Sequence, residues 1–275
     1  MRSHKSKALA VMIAMVTIFA AGCTSSSNSD GGGGAAISNS HLTKVLKSHT
    51  IRVGVQTEAS PWGVRQSDGS YEGFDIDIAK ALGKALGATV DFVPATNEGR
   101  IPMLKADKAD VMIASFTATD ERAQQVAFTI PYAASGTLIA IPKNSTIRSY
   151  ADLAGKSVSA SRGSIGDKIL ESQFPQAKPS LFNTFADSVQ ALKSGKVDAL
   201  IENNVIVPAL VAKDPSIRVL DGPVLSPSLF GMGVQQDDQV WLDYLNNFIR
   251  NYNVSGQNEA ASQKWLHQPM PTFLK

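Results

Sequence analysis

The sequence predicts an α/β fold in which parallel sheets are covered by helices, and three observations lead to this prediction. From Thr50 onward, short apolar runs alternate with amphipathic stretches, which is the pattern of repeated βα units. The alternation comes in two series, with a break after Pro131-Tyr132. A chain of this length can bury one large core or two small ones. We therefore expect two lobes, with a cleft for a ligand at the carboxyl ends of their strands.

The first series opens with a predicted strand over 51–55. A helix follows, because apolar residues recur at i, i+4 and i+8 in Ile78, Leu82 and Leu86. Asp75 is expected to cap this helix at its N-terminus, and Gly87 to end it. The remaining predicted elements of this series are a strand over 89–93, a helix over 98–105 and a strand over 111–113.

The second series shows the same alternation and ends in two longer helices. Strands are predicted over 138–142, 157–160, 180–182, 197–201 and 231–234. Helices are predicted over 150–153, 165–173, 185–193, 205–212, 240–252 and 257–266.

The N-terminus has the layout of an export signal. Residues 1–22 combine a basic start with an uncharged apolar run over 8–21, which is short for a membrane span. The run ends at Ala20-Ala21-Gly22-Cys23, which is similar to a bacterial lipobox, although Leu is usual where Ala20 stands. We therefore expect a lipoprotein signal peptide over 1–22 and lipidation of Cys23, with an ordinary secretory signal as the alternative.

The segment over 23–40 is rich in Ser and Gly and predicts a flexible tether. The whole chain has 26 Lys and Arg against 24 Asp and Glu, and three of the basic residues lie in the signal, so the mature chain has a net charge of −1. With no basic patch in the sequence, nucleic acid is excluded as an expected partner. Cys23 is the only cysteine, so no internal disulfide forms.

One short segment predicts a binding site directly after the apolar run Val111-Met112-Ile113. Ser115, Thr117 and Thr119 alternate, so in an extended chain their side chains share one face. Arg122 follows with a planar fork of donors that suits a carboxylate. The segment therefore predicts a site for a small anion.

Longer stretches of the chain resemble a known family, the family 3 extracellular solute-binding proteins, which serve bacterial ABC importers of polar amino acids. The matching stretches are Gly73-Phe74-Asp75-Ile76-Asp77-Ile78-Ala79, Arg100-Ile101-Pro102, Ala109-Asp110-Val111, Thr117-Ala118-Thr119-Asp120-Glu121-Arg122, Phe128-Thr129-Ile130-Pro131-Tyr132, Asp152-Leu153-Ala154-Gly155-Lys156, Gly163-Ser164, Gly195-Lys196-Val197-Asp198-Ala199 and Lys264-Trp265. The resemblance implies the type II periplasmic-binding-protein fold, in which two crossing strands form a hinge. It places lobe 1 over 41–137 and 232–275, and lobe 2 over 138–231.

The resemblance also assigns roles to individual residues. Arg122 would clamp the α-carboxylate of an amino acid, the alternative being a surface arginine paired with a neighbouring acid. Ser115 and Thr117 would contact the same ligand. Ser164 and Ile165 would meet the carboxylate from lobe 2, because free N–H groups at a helix N-terminus bind anions. The alternative for Ser164 is a role as the N-cap of that helix alone, and the two roles can coexist.

Two aromatic residues have two interpretations each. Trp62 and Phe116 either line the cleft or pack in the core. Asp75 and Asp77 are assigned to structural roles, at the cap and in the exposed first turn of their helix.

Three residues depart from the family pattern. Asn203 stands where the family has an aspartate that holds the ligand ammonium, and Glu202 beside it could replace that acid if the strand has ended. Gln56 replaces an acid that is common in binders of basic amino acids, and Ala59 stands where an aromatic is frequent. These departures disfavour a cationic ligand, and leave a neutral or acidic amino acid, or a related compound without a normal α-ammonium, as the alternatives.

The expected function is therefore a monomeric substrate-binding lipoprotein of an ABC importer, held in the cell envelope outside the cytoplasm by its lipid and delivering an amino acid to the permease. We expect no enzyme activity, no cofactor and no metal. The alternatives are a cyclohexadienyl dehydratase-like enzyme on the same fold, with Glu202 as its general acid, and a sensory ligand-binding module.

Overall fold

The computed structural model describes residues 39–274. The predictions for the signal peptide over 1–22, for Cys23 and for nearly all of the tether lie outside the described residues. The α-helices that lie wholly within the described part are α1 His41–Ser48, α2 Phe74–Leu86, α3 Arg100–Lys105, α4 Asp120–Ala123, α5 Ile165–Gln173, α6 Phe185–Lys193, α7 Ile206–Lys213, α8 Gln239–Val254 and α9 Gln257–Leu266. Single 3-10 turns lie at Tyr150–Leu153 and Thr272–Leu274.

The strands form three sheets, and the two larger sheets define the two lobes. The strands are β1 Thr50–Val55, β2 Glu58–Ala59, β3 Gly63–Arg65, β4 Tyr71–Glu72, β5 Thr89–Pro94, β6 Val111–Met112, β7 Ala127–Phe128, β8 Ala133–Pro142, β9 Ser157–Ser161, β10 Lys178–Phe182, β11 Ala199–Asn203, β12 Ile217–Val219, β13 Leu225–Phe230 and β14 Gly233–Val234. Lobe 1 has the order β5-β1-β6-β14-β7, and lobe 2 has β10-β9-β11-β8-β12 with β13 also paired to β8. The pairs of β1 with β5 and β6, and of β9 with β10 and β11, are parallel. The predicted two-lobed α/β fold is confirmed.

The chain passes between the lobes along β8 and β13. Ala133, at the start of β8, pairs with Phe230 at the end of β13. Thr117 of lobe 1 forms an isolated bridge to Phe230. The lobe limits at 137/138 and 231/232 stay predictions.

Alternating side chains build the cores of both lobes. In lobe 2, Ile139 and Ile201 pack on one face of the sheet, while Ala140 and Leu200 pack on the other. Successive residues of a strand point to opposite faces, so each buried strand contributes to two apolar layers. Helix α5 covers one layer, and α6 and α7 cover the other.

Helix α2 follows the predicted pattern, since Ile78, Leu82 and Leu86 are all buried and Gly87 ends the helix in the left-handed conformation. The predicted cap is wrong. Gly73 is the N-cap, and Asp75 is fully buried inside the first turn. Its carboxylate accepts hydrogen bonds from Ser115 N at 2.6 Å and Tyr132 Oη at 2.9 Å. Asp75 is therefore a bridge between three segments of lobe 1.

Some strand limits differ from the prediction. The strand predicted over 138–142 is the second half of β8, and β13 was not predicted because Ser226-Pro227-Ser228 breaks the apolar pattern. Pro is tolerated there because β13 pairs only with β8 and lies at an edge. Within the described residues, none of the helices is long and apolar enough to span a membrane.

Candidate functional site

A polar cleft lies between the lobes and encloses about 530 Å³ of empty space, including its open mouth. Lobe 1 and the crossing strands contribute Gln56, Ala59, Asn97, Arg100, Ser115, Thr117, Ser135, Gly136, Thr137, Ser228 and Phe230. Lobe 2 contributes Ser164, Ile165, Gly166, Phe185, Glu202, Asn203 and Ile206. The structure thus brings together five of the predicted site residues, namely Ser115, Thr117, Ser164, Ile165 and Asn203.

Arg100 is the cation in the wall of the cleft. It begins helix α3 and is 2% exposed. Its Nε donates to Asn97 O at 3.0 Å and its Nη1 to Ala114 O at 3.0 Å. Burial lowers the pKa of Arg100 well below its ordinary value, and the nearby charge of Arg122 adds to that effect. Among the described residues, no carboxylate lies within ion-pair distance of it.

Arg122 lies just behind the cleft wall. Its Nη1 donates to Thr117 O at 2.9 Å, and its Nη2 donates across the lobe boundary to Gly163 O at 3.0 Å. Burial lowers the pKa of Arg122 to about 10. Neither Asp120 nor Glu121 pairs with it in the described structure, and Glu121 lies 3.6 Å from Lys168 instead.

Phe116 positions both arginines and does not line the cleft. It is 1% exposed, and the Arg100 and Arg122 guanidinium carbons lie 4.6 and 5.3 Å from its ring centroid. A cation above an aromatic face is stabilised by the ring quadrupole. Trp62 is likewise fully buried, and packs between Phe74 and Phe230. Both aromatics thus lie in the packed interior.

The chain changes direction at Ser115, shortly after the end of β6 at Met112. The φ of Ser115 is 43°, so the chain is not extended there and the predicted shared face does not form. Ser115 Oγ donates to Gln56 Oε1 at 2.6 Å, and Gln56 Nε2 donates to Asn97 Oδ1 at 2.8 Å. Thr119 caps helix α4 instead of facing the cleft, by accepting from Arg122 N.

The wall from lobe 2 begins at helix α5. Ser164 is its N-cap, and its Oγ accepts from Asp167 N at 3.2 Å. Gly163, in the preceding loop, has a φ of 71°, and a Cβ there would lie 2.9 Å from Glu98 Cα in lobe 1. Glycine at this position therefore allows the two lobes to approach closely.

Glu202 and Asn203 are the last two residues of β11. Asn203 Oδ1 accepts from Val205 N at 2.8 Å, and its Nδ2 donates to Ser135 Oγ. Glu202 Oε1 accepts from Asn203 N at 2.8 Å. Burial raises the pKa of Glu202 to about 7, although that hydrogen bond and the charge of Arg100 oppose the shift. Both side chains reach the cleft because the strand ends here.

Sequence reasoning assigned no ligand role to Arg100, and it named Gln56 only as a departure from the family pattern. Their positions along the chain could have identified both residues, because Gln56 follows the carboxyl end of β1 and Arg100 opens the helix after β5. Ligands bind at that edge of an open sheet.

A second titratable cluster lies on lobe 1, where His41, Asp107 and Asp110 bring possible ligand atoms within 4.8 Å of one another. Arg52 hydrogen-bonds both carboxylates, and His41 Nδ1 lies 2.8 Å from Asp238. These contacts bind helix α1 to the sheet of lobe 1, which is a structural role.

The chain is similar to a family of exported binding proteins. The sequence pattern of the bacterial extracellular solute-binding proteins, family 3, matches residues 51–268. ABC transporter arginine-binding protein 1 of Escherichia coli (strain K12) is 30% identical over 222 residues, which cover 79% of this chain and 91% of that protein. The glutamine-binding protein of Geobacillus stearothermophilus is 32% identical over 248 residues, which cover 86% and 94%.

A solved structure shares the fold. The crystal structure of an ancestral amino acid-binding protein, a precursor of cyclohexadienyl dehydratase, aligns with a TM-score of 0.76 and 31% identity over 82% of this chain and 99% of that one.

Proposed function

Because this chain belongs to the bacterial extracellular solute-binding proteins, family 3, we propose that it captures an amino acid between its lobes and delivers it to the permease of an ABC importer. Its relatives include an arginine-binding protein of an ABC transporter and a glutamine-binding protein. The observation that carries the proposal for this chain is the charge arrangement of the cleft. Lobe 1 presents arginine and hydroxyl donors, and lobe 2 presents a carboxylate, which complements a zwitterion.

The α-carboxylate is held by Arg122 together with Ser115, Thr117 and the N-terminus of α5. Arg122 already holds the backbone of Thr117, and its second nitrogen reaches the ligand by exchanging its bond to Gly163 O. A charge-assisted hydrogen bond from a guanidinium to a carboxylate is strong in a site that excludes water. Arg100 lies beside the same wall and adds positive potential there.

The ammonium is held by Glu202 and not by Asn203. Asn203 already uses its side-chain oxygen to accept from Val205 N and its nitrogen to donate to Ser135. Glu202 accepts one hydrogen bond from Asn203 N, which leaves acceptor capacity for a ligand. The charge partner has thus moved by one residue relative to the family pattern.

A neutral or acidic side chain suits this cleft better than a cationic one. The groups that follow Ser115 along the wall are the uncharged amides of Gln56 and Asn97. A buried cation would lack a carboxylate there, and an unpaired buried charge is costly.

A thermal-shift screen of amino acids tests the proposal, because a ligand that binds the folded state stabilises it by mass action. We expect at least one neutral or acidic L-amino acid to raise the Tm and Arg122→Ala to abolish that rise. If none of the amino acids raises the Tm of the wild-type protein, the proposal is wrong.

A second candidate function is a dehydratase on the same fold. The observation that favours it is Glu202, because a carboxyl group with a pKa near 7 inside a cleft is suited to general acid catalysis. Incubation with prephenate or arogenate separates the two functions, since a receptor returns its ligand unchanged.

The location of the protein is part of the same proposal. Lipidation of Cys23 and the tether over 23–40 hold the binding domain beside a membrane, outside the cytoplasm. Fractionation of cells that express the wild type and Cys23→Ala tests this, with loss of the variant from the membrane fraction as the expected result.

A further inference from the structure

A second compartment adjoins the cleft and no ligand role has been given to it. It is lined by Gln56, Thr57, Glu58, Ala59, Pro94, Ala95, Thr96, Asn97, Asn183, Thr184 and Phe185, and encloses about 510 Å³ of empty space with its open mouth. Four of these residues, Gln56, Ala59, Asn97 and Phe185, also line the cleft. The two spaces are therefore neighbours along one continuous wall.

The boundary between the two spaces is fixed by a pair of amides and one small side chain. Gln56 and Asn97 are hydrogen-bonded to each other at 2.8 Å, and Ser115 holds Gln56 from the cleft side. Ala59 is 4% exposed and lies in both walls. Its single methyl group leaves space where a larger side chain would close the passage.

The walls of the second compartment are mainly apolar and uncharged. Pro94 ends β5 and Ala95 follows it, while Phe185 opens helix α6. The ionisable residue in this wall is Glu58, which is exposed on β2 at the rim. A long uncharged side chain can bury its methylene groups here and keep a polar end near the amides or Thr184.

We propose that the second compartment is the subsite for the distal part of the ligand side chain, and that the protein selects amino acids with long, uncharged side chains. This inference rests on the proposed function, since it assumes that the amino acid head group occupies the cleft beside Ser115. The small Ala59 sets the selectivity, because it opens the passage to the second compartment.

Matched ligands test the length and the charge of the side chain separately. We expect citrulline and methionine to bind at least about tenfold more tightly than alanine, because two or more additional methylene-sized groups become buried. Citrulline is also expected to bind more tightly than arginine, which has the same length and a positive charge. Both comparisons use calorimetric titration of the wild-type protein.

Two variants fill the space from different sides. Ala95→Phe occupies the second compartment without touching the cleft, so it should remove the preference for citrulline over alanine and leave alanine binding within about twofold. Ala59→Phe closes the passage and should bring the ratio of the citrulline affinity to the alanine affinity towards one. Ala151→Phe, an exposed substitution of equal size in the 3-10 turn of lobe 2, should leave the ratio unchanged.

The outcomes are distinguishable. If none of the amino acids binds the wild-type protein, the proposed function itself is wrong. If another amino acid binds but citrulline and methionine do not, the second compartment is not the side-chain subsite. If amino acids bind the wild-type protein but citrulline and alanine bind with nearly equal affinity, the second compartment is not the side-chain subsite. The same conclusion follows if Ala95→Phe still binds citrulline much more tightly than alanine. Thermal melts of each variant confirm folding, and the Ala95 and Ala59 variants provide independent tests should one of them not fold.

Discussion

The protonation of Glu202 should control the affinity of the protein for its ligand. A carboxyl group that pairs with the ligand ammonium must be ionised, whereas burial raises its pKa to about 7 in the free protein. An amino acid ligand keeps its own charges between pH 5 and 8. The affinity should therefore fall as the pH drops below 7, because binding must first remove the proton from Glu202.

The size of the effect follows from the pKa. About one molecule in eleven has an ionised Glu202 at pH 6, against about ten in eleven at pH 8, so Kd should rise about tenfold, or about 1.4 kcal/mol, between these pH values. A further unit of pH should cost about another factor of ten. In Glu202→Gln this dependence should vanish, and the affinity at pH 8 should fall by roughly 2 kcal/mol, because a charged partner is lost while an acceptor remains.

Calorimetric titration at pH 5, 6, 7 and 8 measures both effects, with Glu171→Gln as a control for loss of an exposed acid on the same lobe. Asp75 has a similarly raised pKa of about 7, but it lies behind Ser115 and does not line the cleft. If Glu202→Gln keeps the same pH dependence as the wild type, another group such as Asp75 titrates and the ammonium assignment is refuted.

Three further predictions concern affinity and stability. Arg122→Ala should weaken ligand binding by roughly 2–5 kcal/mol in calorimetry, and an unchanged Kd would contradict its role. Without ligand, Glu202→Gln should stabilise the protein by up to about 3 kcal/mol at pH 8 and leave its stability unchanged below pH 4. The reason is that the raised pKa of Glu202 makes the folded wild-type protein lose stability as the pH rises from about 4.5 to 7. Thermal melts across that range check the sign. Gly73→Ala should lower the free energy of unfolding by at least about 3 kcal/mol, because φ is 134° and the new Cβ would lie 2.3 Å from Trp62 O. Gly87→Ala, with a φ of 62° and open space, should cost only about 1–2 kcal/mol in the same urea titration.

The fold could be predicted from the sequence because its signals are local. The period of helix α2 and the apolar runs of β1 and β9 arise from contacts between neighbouring residues and one packed face. Strand β13 was missed for the opposite reason. Its Ser-Pro-Ser stretch has no apolar pattern, and its pairing with β8 joins segments about ninety residues apart in the chain.

Short-range patterns in the sequence identify a role only where a residue acts within its own segment, and the other cleft residues were named through the family resemblance. Ser164 as an N-cap is such a case. Asp75 looks like a cap from sequence, but its partners Ser115 and Tyr132 lie 40 and 57 positions away. Arg100 and Glu202 reach the same cleft only because two lobes close on each other, and short-range patterns carry no information about that contact.

The central claim is that the cleft holds one amino acid and releases it unchanged. Equilibrium dialysis of the protein against a mixture of amino acids, followed by mass spectrometry of the retained fraction, tests it most directly. We predict one equivalent of an intact amino acid with a long, uncharged side chain per protein chain, and none with Arg122→Ala. Retention of no amino acid, or recovery of a chemically altered compound, would contradict this account.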